Sequence, residues 1–311
     1  MPSFSAGFAS RNRVQLQSLA ELTTFRIGGP AIVAVLDARD DLAEALEGGA
    51  RWLGKGANLL VGDQGLAVPV VRLGRDFEFL REAGEEGGRR LLQVGAATDL
   101  AKLVNHCIAL GLAGPEGLAG VPATVGGALR MNAGTVHCWI LDFVRRVEVV
   151  LPGRSAAQWL ARADLPAVYR SSGLPLGTLF LGCELALEPG DPSALKERSA
   201  KLKKAKADSQ PLALASAGCV FKNPSKELPA GRLIDELGLK GTHEGGAEVS
   251  SVHANFIVNP GRDASAADVI RLVRRIRRRA FRERGVVLQL EIEAWSCPDE
   301  LQAHPSELSD D

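Results

Sequence analysis

The sequence predicts a mixed α/β chain of two or three domains, on three observations. At 311 residues it exceeds the usual size of one domain, and a 46% hydrophobic content is enough to bury a sizeable core. Short β-branched runs bounded by Gly, Pro or charge recur along it. Between them lie segments whose apolar residues repeat at helical spacing.

In chain order, strands are predicted at 31–38 (AIVAVLDA), 67–73 (AVPVVRL) and 91–96 (LLQVGA). The clearest helix covers 98–110, where Leu100, Leu103, Val104, Cys107 and Ile108 share one face and Gly111 follows as a stop. Cys107 is then most simply a core thiol. Further strands are predicted at 144–151, 179–187, 254–259 and 288–295. A basic helix at 194–208 separates the middle of the chain from its last third, and a domain boundary is expected near it. Ser265, with Asp268 three residues on, can cap a long helix that runs to Arg284 and stops at Gly285. Its end, RRIRRRAFRER, could serve as a nucleic-acid stripe, but the amphipathic reading is better. Val269, Leu272, Val273 and Ile276 give a buried face, arginines near a helix C-terminus complement its dipole, and base-stacking aromatic interleaving is absent. Beyond Trp295 the acidic, Pro-containing tail is expected to be disordered.

Lys plus Arg equals Asp plus Glu at 37 each, so no global field draws the protein to nucleic acid or an acidic membrane. Any anionic ligand must be met locally. The five cysteines (Cys107, Cys138, Cys183, Cys219, Cys297) are scattered and never form a CxxC pair, which supports neither a disulfide framework nor structural zinc. No metal site is expected: His106, His137, His243 and His304 show no ligand spacing. The N-terminus has no apolar run of signal-peptide length, and apolar stretches elsewhere are broken by Gly, Pro or charge. Neither secretion nor membrane spanning is expected.

Two glycine segments could hold a pyrophosphate. In LGKGANLLV, 53–61, two glycines two apart let the backbone turn sharply and present successive N–H groups to phosphate oxygens, although an ordinary tight turn closed by Asn58 fits as well. The second, GLAGVPATVGGALRMNAG at 117–134, combines five glycines with Pro122, Thr124 and Asn132. Such a run packs poorly as core and makes better sense as backbone wrapped around a rigid ligand, with Thr124 as a hydroxyl donor and Gly126 and Gly127 permitting close approach. Neither segment fits the GxGxxG or GxxxxGK[ST] phosphate loops, which disfavours a Rossmann or P-loop site.

Taken in order, TTFRIGGPA, LGKGANLLV, GVPATVGGALRMNAG, YRSS (169–172), AGCVFKNP (217–224), AGRLIDELGLKG and VHANFIVN resemble the UDP-N-acetylenolpyruvoylglucosamine reductase family over about residues 20–295. The resemblance implies a vanillyl-alcohol-oxidase-type two-part FAD-binding fold followed by a C-terminal α/β substrate-binding domain. On that plan 1–19 is an N-terminal extension, 20–71 and 72–200 are the FAD-binding subdomains, 201–296 holds the UDP-sugar, and 297–311 is the disordered tail. The cofactors implied are FAD and NADPH. The implied substrate is UDP-N-acetylglucosamine enolpyruvate, reduced to UDP-N-acetylmuramate in the cytoplasmic steps of peptidoglycan synthesis. A monomer is expected, with no nucleic-acid or membrane partner. Tyr169 is the only tyrosine and lies in YRSS, so the chain resembles the shorter type without a Tyr-bearing loop over the substrate.

The resemblance puts FAD contacts at Gly54, Lys55, Gly56, Ala57, Asn58 and Leu59, and at Gly120, Val121, Ala123, Thr124, Gly126, Gly127 and Asn132. Arg170 matches the arginine of YRSS. A planar guanidinium suits a carboxylate on which charge builds, although the sequence alone fits a surface arginine. Glu291, in LQLEIEAW, matches the catalytic glutamate and is implied to act protonated beside the developing enolate. On strand periodicity alone it would share a solvated face with Gln289 and Glu293, and Glu293 stands where the family carries arginine. Cys219 occupies the place where many relatives have serine as proton donor. A thiol, with a free pKa of about 8.5, donates more readily than an alcohol, whereas without its neighbours Cys219 would read as a small buried hydrophobe. Asn223, Arg232, His253 and Asn255 match UDP-sugar contacts, Arg232 being the better diphosphate candidate because it follows a turn that could open a helix.

Two other functions compete. Another FAD oxidoreductase of the same fold, acting on an alcohol or hydroxy acid, has no reason to carry AGCVFKNP and VHANFIVN. A non-catalytic nucleotide-binding protein has no reason to keep Arg170, Cys219 and Glu291 together.

Overall fold

The structure is a computed structural model that describes residues 4–135, 137–298, 301 and 303–307. The chain forms two compact units, one of residues 1–15, 32–55 and 68–206 and the other of residues 16–31, 56–67 and 207–311, so it passes between them five times. These are not consecutive blocks, because Phe25, Ile27 and Leu60 are buried in one core with residues from 217 onward.

A four-stranded sheet, most of whose residues belong to the first unit, takes the order Arg13–Ser18, Pro30–Leu36, Val70–Leu73, Arg51–Trp52, the last three parallel. An antiparallel sheet follows in the order Gln158–Ala161, Val144–Val150, Leu179–Pro189, Arg89–Gly95, Leu80–Glu86, with Leu112–Ala113 paired to the end of Leu179–Pro189. Strand Leu179–Pro189 is central, and its apolar run reads as core because neighbours flank both edges. Its one charged residue in the buried stretch, Glu184, is 2% exposed. Burial alone would raise its pKa. Arg146 at 2.9 Å, Arg145 at 2.7 Å and Gln93 at 3.2 Å outweigh that and hold it below the usual carboxylate range.

Helix Leu100–Ala109 starts two residues later than periodicity alone suggests, because Asp99 caps it by accepting from Ala101 N–H. Its buried face is Leu100, Leu103, Val104 and Cys107, and burial pushes the Cys107 thiol up to about 12, as suits a core thiol. The hairpin Leu80–Glu86 to Arg89–Gly95, turned at Gly87 and Gly88 with φ of +58° and +78°, carries an exposed, charged outer strand that apolar patterning did not reveal.

In the second unit an antiparallel sheet takes the order Ala215–Cys219, Phe256–Asn259, Ala247–Val249, His243–Glu244. Helix Ala266–Arg284 buries Val269, Leu272, Val273 and Ile276 in the core of this unit, each at most 1% exposed. Its ends are as predicted: Ser265 and Asp268 form the capping box, and Gly285 closes it at φ +67°. A further cap was not visible in the sequence. Asp63, from a distant loop, accepts from Ala266 N–H at 2.7 Å and Ala267 N–H at 3.2 Å.

The predicted strand at 288–295 is shorter, Glu293–Trp295, and lies parallel to Leu59–Val61. Residues 289–291 bond instead to 220–222. Past Trp295 the tail is held at least in part, contrary to expectation: Leu301 is 2% exposed in the core. Arg277 donates to the carbonyls of Leu288, Leu301 and Ala303 at 3.1, 2.8 and 2.8 Å. Residues 299, 300, 302 and 308–311 lie outside the described residues. Among the described residues no helix is long and apolar enough to cross a membrane, and no cluster of His, Cys, Asp or Glu could hold a metal ion.

Candidate active site

The first unit gathers both glycine segments up to Lys55. A Cβ on Gly54 would lie 2.7 Å from Thr124 Oγ1, and one on Gly126 would lie 2.9 Å from the Ala96 Cβ, so both approaches require glycine. Thr124 caps helix Val125–Arg130 by accepting from Gly127 N–H at 3.3 Å, while Val125 and Gly126 N–H go to Thr98 and Ala96 carbonyls. Thr124 therefore acts first as a cap. Lys55 pairs with Asp99, a partner that sequence reasoning missed although it stands in the capping position of the next helix. Gly120 turns at φ +77°, and Lys206 Nζ donates to its carbonyl at 2.7 Å; Ala123 accepts from Leu100 N–H and Val121 donates to Leu118. The first N–H groups of helix Val125–Arg130 are already taken by Thr98, Ala96 and Thr124, so the fit to a dinucleotide such as FAD rests on the close-packed glycine backbone at Gly54, Gly120 and Gly126, where no Cβ stands in the way, and not on the helix start.

Arg170 belongs to the same unit. It sits at the tip of a tight turn with φ +57°, where Ser171 N–H donates to Val168 C=O at 3.1 Å. Its Nη1 donates to Gly134 C=O at 3.3 Å, and its guanidinium lies 5.3 Å from the Tyr169 ring and 5.8 Å from the Trp139 ring. Asn132, itself at φ +40° and buried, donates to Val168 C=O and accepts from Leu141 N–H, both at 3.4 Å. Its carboxamide thus ties the NAG and YRSS motifs together. The aromatic neighbours Trp139 and Tyr169 were not anticipated.

The second unit brings together Gly56, Ala57, Asn58, Leu59, Cys219, Asn223, Asn255 and Glu291. Gly56 turns at φ +63°, where its would-be Cβ meets the Thr23 backbone at 2.9 Å. Leu59 is buried at the start of its strand. Gly218, at φ +81°, approaches the Ala57 carbonyl; the half-buried Cys219 ends its strand immediately after. Glu291 N–H donates to Val220 C=O at 2.8 Å, so one residue and one hydrogen bond separate the backbones of Cys219 and Glu291. Asn223 accepts from Ala230 N–H at 3.0 Å and so opens helix Ala230–Glu236. Arg232 lies on that helix, exposed, and bonds Glu236 at 2.7 Å. The half-buried His253 accepts from Asn255 N–H at 3.2 Å and meets the Phe256 ring edge-on at 5.0 Å; burial, helped by the Lys240 charge, lowers its pKa. Asn255 is taken up by Phe221, whose N–H and C=O it bonds at 2.9 and 2.8 Å.

Close-packed glycine backbone in one unit, and in the other a half-buried cysteine whose neighbour bonds the backbone of Glu291, are features that the motifs tie to a flavin-dependent oxidoreductase. Residues 30–156 match the FAD binding domain family, which makes the chain an FAD-binding enzyme of that class. Residues 210–295 match the family described as UDP-N-acetylenolpyruvoylglucosamine reductase, C-terminal domain. A reductase of that name from Thermus thermophilus is 41% identical over 283 residues, covering 91% of this chain and 99% of that one. The one from Syntrophobacter fumaroxidans is 38% identical over 290 residues, covering 90% and 83%. The crystal structure of the Thermus caldophilus reductase superposes with a TM-score of 0.80 at 40% identity, over 91% of this chain and 99% of that one. The chain belongs to the UDP-N-acetylenolpyruvoylglucosamine reductase family, and the FAD-binding fold expected from the motifs is the fold it has.

Proposed function

We propose that this enzyme reduces UDP-N-acetylglucosamine enolpyruvate to UDP-N-acetylmuramate with NADPH, the net consumption being one NADPH and one proton per double bond reduced. Bound FAD supplies the hydride that adds to the terminal carbon of the enolpyruvyl group. Cys219 gives its Sγ proton to the adjacent carbon, Glu291 acts beside it, and the Arg170 guanidinium holds the substrate carboxylate as charge builds there. Residues 20–200 serve FAD through the close-packed glycine backbone, and 201–296 serve the UDP-sugar, with Asn223 and Arg232 at the start of one helix. It acts in the cytoplasm as a monomer, with no nucleic-acid or membrane partner.

The observation that supports this reading is the hydrogen-bonded pairing of residues 220–222 with 289–291, which joins the backbone next to Cys219 to the backbone of Glu291. The test is substrate-dependent NADPH oxidation by the purified enzyme, followed by its two halves. Cys219→Ala is expected to keep flavin reduction by NADPH and to lose flavin reoxidation by the enolpyruvyl sugar; near-normal turnover would remove Cys219 from the mechanism. Cys219→Ser should retain activity. Arg170→Ala and Glu291→Ala should lower kcat far more than they raise KM, and a pure KM effect would contradict their roles.

A further inference from the structure

Asn58 and Asn255 were read from the sequence as contacts to FAD and to the UDP-sugar. In the structure their side chains bond protein backbone on either side of the Cys219 and Glu291 segments. Asn255 is 3% exposed, and its carboxamide spans one peptide residue: Oδ1 accepts from Phe221 N–H at 2.9 Å while Nδ2 donates to Phe221 C=O at 2.8 Å. Its own carbonyl accepts from Val220 N–H at 2.8 Å. On the other side, Asn58 Nδ2 donates to Glu291 C=O at 3.0 Å and the Asn58 carbonyl accepts from Glu293 N–H at 2.9 Å. Between the two clasps, Glu291 N–H bonds Val220 C=O at 2.8 Å and Lys222 N–H bonds Gln289 C=O at 2.9 Å.

A regular ladder cannot do this work here. The strand bearing Cys219 loses register with Phe256–Asn259 between Ser216 and Cys219, where Gly218 turns to φ +81°. Residues 220–222 and 289–291 therefore sit outside the strands, and each buried backbone group needs a partner of its own. A carboxamide has the donor and acceptor of a peptide group and no charge, so it can stand in for a missing strand without a desolvation penalty for an ion.

We propose that Asn255 and Asn58 are positioning residues that lock the Cys219 and Glu291 segments in one backbone frame, so that the proton reaches its carbon from a fixed distance. The proposal rests on Cys219 being the donor. Misplacement of a reacting group by about 1 Å can cost about 100-fold in rate. Asn255→Ala strands both polar groups of Phe221, and Asn58→Ala releases Glu291 C=O.

The test is single-turnover reoxidation of NADPH-reduced enzyme by the enolpyruvyl sugar, with FAD affinity and the alkylation rate of Cys219 by iodoacetamide, located by peptide mass spectrometry, as readouts apart from turnover. Both variants are expected to slow reoxidation by about 100-fold for Asn255 and about 10-fold for Asn58, with flavin reduction and FAD affinity within about twofold of the parent. Cys219 alkylation should change by threefold or more. In a Cys219→Ala background the added loss should vanish, because an effect exerted through Cys219 has nothing left to act on. Losses that multiply in that background would overturn the proposal, as would weakened FAD binding as the main defect of Asn58→Ala. Should Asn255→Ala not fold, Asn58→Ala and its double variant decide by the same criteria. If Cys219→Ala alone reoxidises at the parent rate, the proton-donor reading fails first; if it is slow while both asparagine variants are normal, only the positioning proposal fails.

Discussion

Replacing Arg277 by Met asks how much a single buried guanidinium contributes by tying the end of the chain to the long helix. Arg277 is 5% exposed and gives Nε to Leu288 C=O at 3.1 Å, Nη1 to Leu301 C=O at 2.8 Å and Nη2 to Ala303 C=O at 2.8 Å. Burial pulls its pKa below the ordinary arginine value, so the charge is held at a cost that the carbonyl dipoles offset. Each hydrogen bond from a charged donor contributes about 1.5–3 kcal/mol, and removing the buried charge returns several kcal/mol of desolvation. Methionine fills much of the stem volume. Ala303, half-buried, can turn its carbonyl to water, whereas Leu288 and Leu301 are fully buried and stay stranded at about 1–3 kcal/mol each. The net expectation is a loss of about 3 kcal/mol. At about 4 °C per kcal/mol for a unit of this size, the melting temperature of the second unit should fall by about 12 °C in calorimetry. Hydrogen exchange should also quicken at 288–292, next to Glu291. A melting temperature within about 3 °C of the parent would refute the reasoning and mean that the tail carbonyls find water at no cost.

Three further outcomes are expected. Asp63→Ala removes a carboxylate from the start of helix Ala266–Arg284 and should cost about 1.5 kcal/mol, read as a lower urea midpoint with an unchanged slope; no change would mean that the Ser265–Asp268 box suffices. Asn132 holds φ +40°, so Asn132→Gly loses only the amide bonds whereas Asn132→Ala adds about 1 kcal/mol of backbone strain. Equal stability of the two variants would remove the strain argument, and both should lower kcat by loosening the Arg170 turn. Burial lowers the pKa of His253, so the unfolded chain takes up its proton first: the contribution is present above about pH 6.5 and is lost as pH falls through the folded value. Stability measured from pH 7.5 to 5 should therefore fall less steeply in His253→Gln than in the parent; parallel curves would show that His253 is not the group responsible.

What the sequence disclosed follows from how local each signal is. The long helix was legible to the residue because the Ser265–Asp268 box, the Val269–Ile276 face and Gly285 are all contained within its own span. The helix at Leu100–Ala109 was legible for the same reason, short of its cap. The outer strand Leu80–Glu86 was not, since an edge strand exposed on nearly every residue needs no apolar alternation. Nor could any local pattern indicate that Leu59–Val61 lies parallel to Glu293–Trp295, a pairing that draws residues 56–67 into a unit with the last third of the chain. Family resemblance reached further into the site than patterning did, because it carries positions whose partners are remote.

Resemblance marks a position without saying what the side chain does there, and the asparagines illustrate why. Asn12, Asn58, Asn132, Asn255 and Asn259 each use the carboxamide, alone or with their own backbone, to join segments where no ladder bond does so. Asn12 reaches Asp37 N–H at 2.9 Å and Phe8 C=O at 3.1 Å; Asn259 reaches Phe25 C=O at 3.2 Å and Ala264 N–H at 3.1 Å. An amide that can donate and accept at once serves a phosphate, a sugar hydroxyl or a peptide group equally well, so composition and motif alike leave its role open. Burial decides. Asn255 and Asn259 are at most 3% exposed with both the oxygen and the nitrogen of the amide bonded to backbone, so the carboxamide cannot turn to a ligand without first releasing the segment it holds. Exposed Arg232, bonded to Glu236 on its own helix, can turn to a diphosphate at little cost. Substituting Asn255 should therefore disturb the chemistry step before it disturbs affinity, and substituting Arg232 should do the reverse.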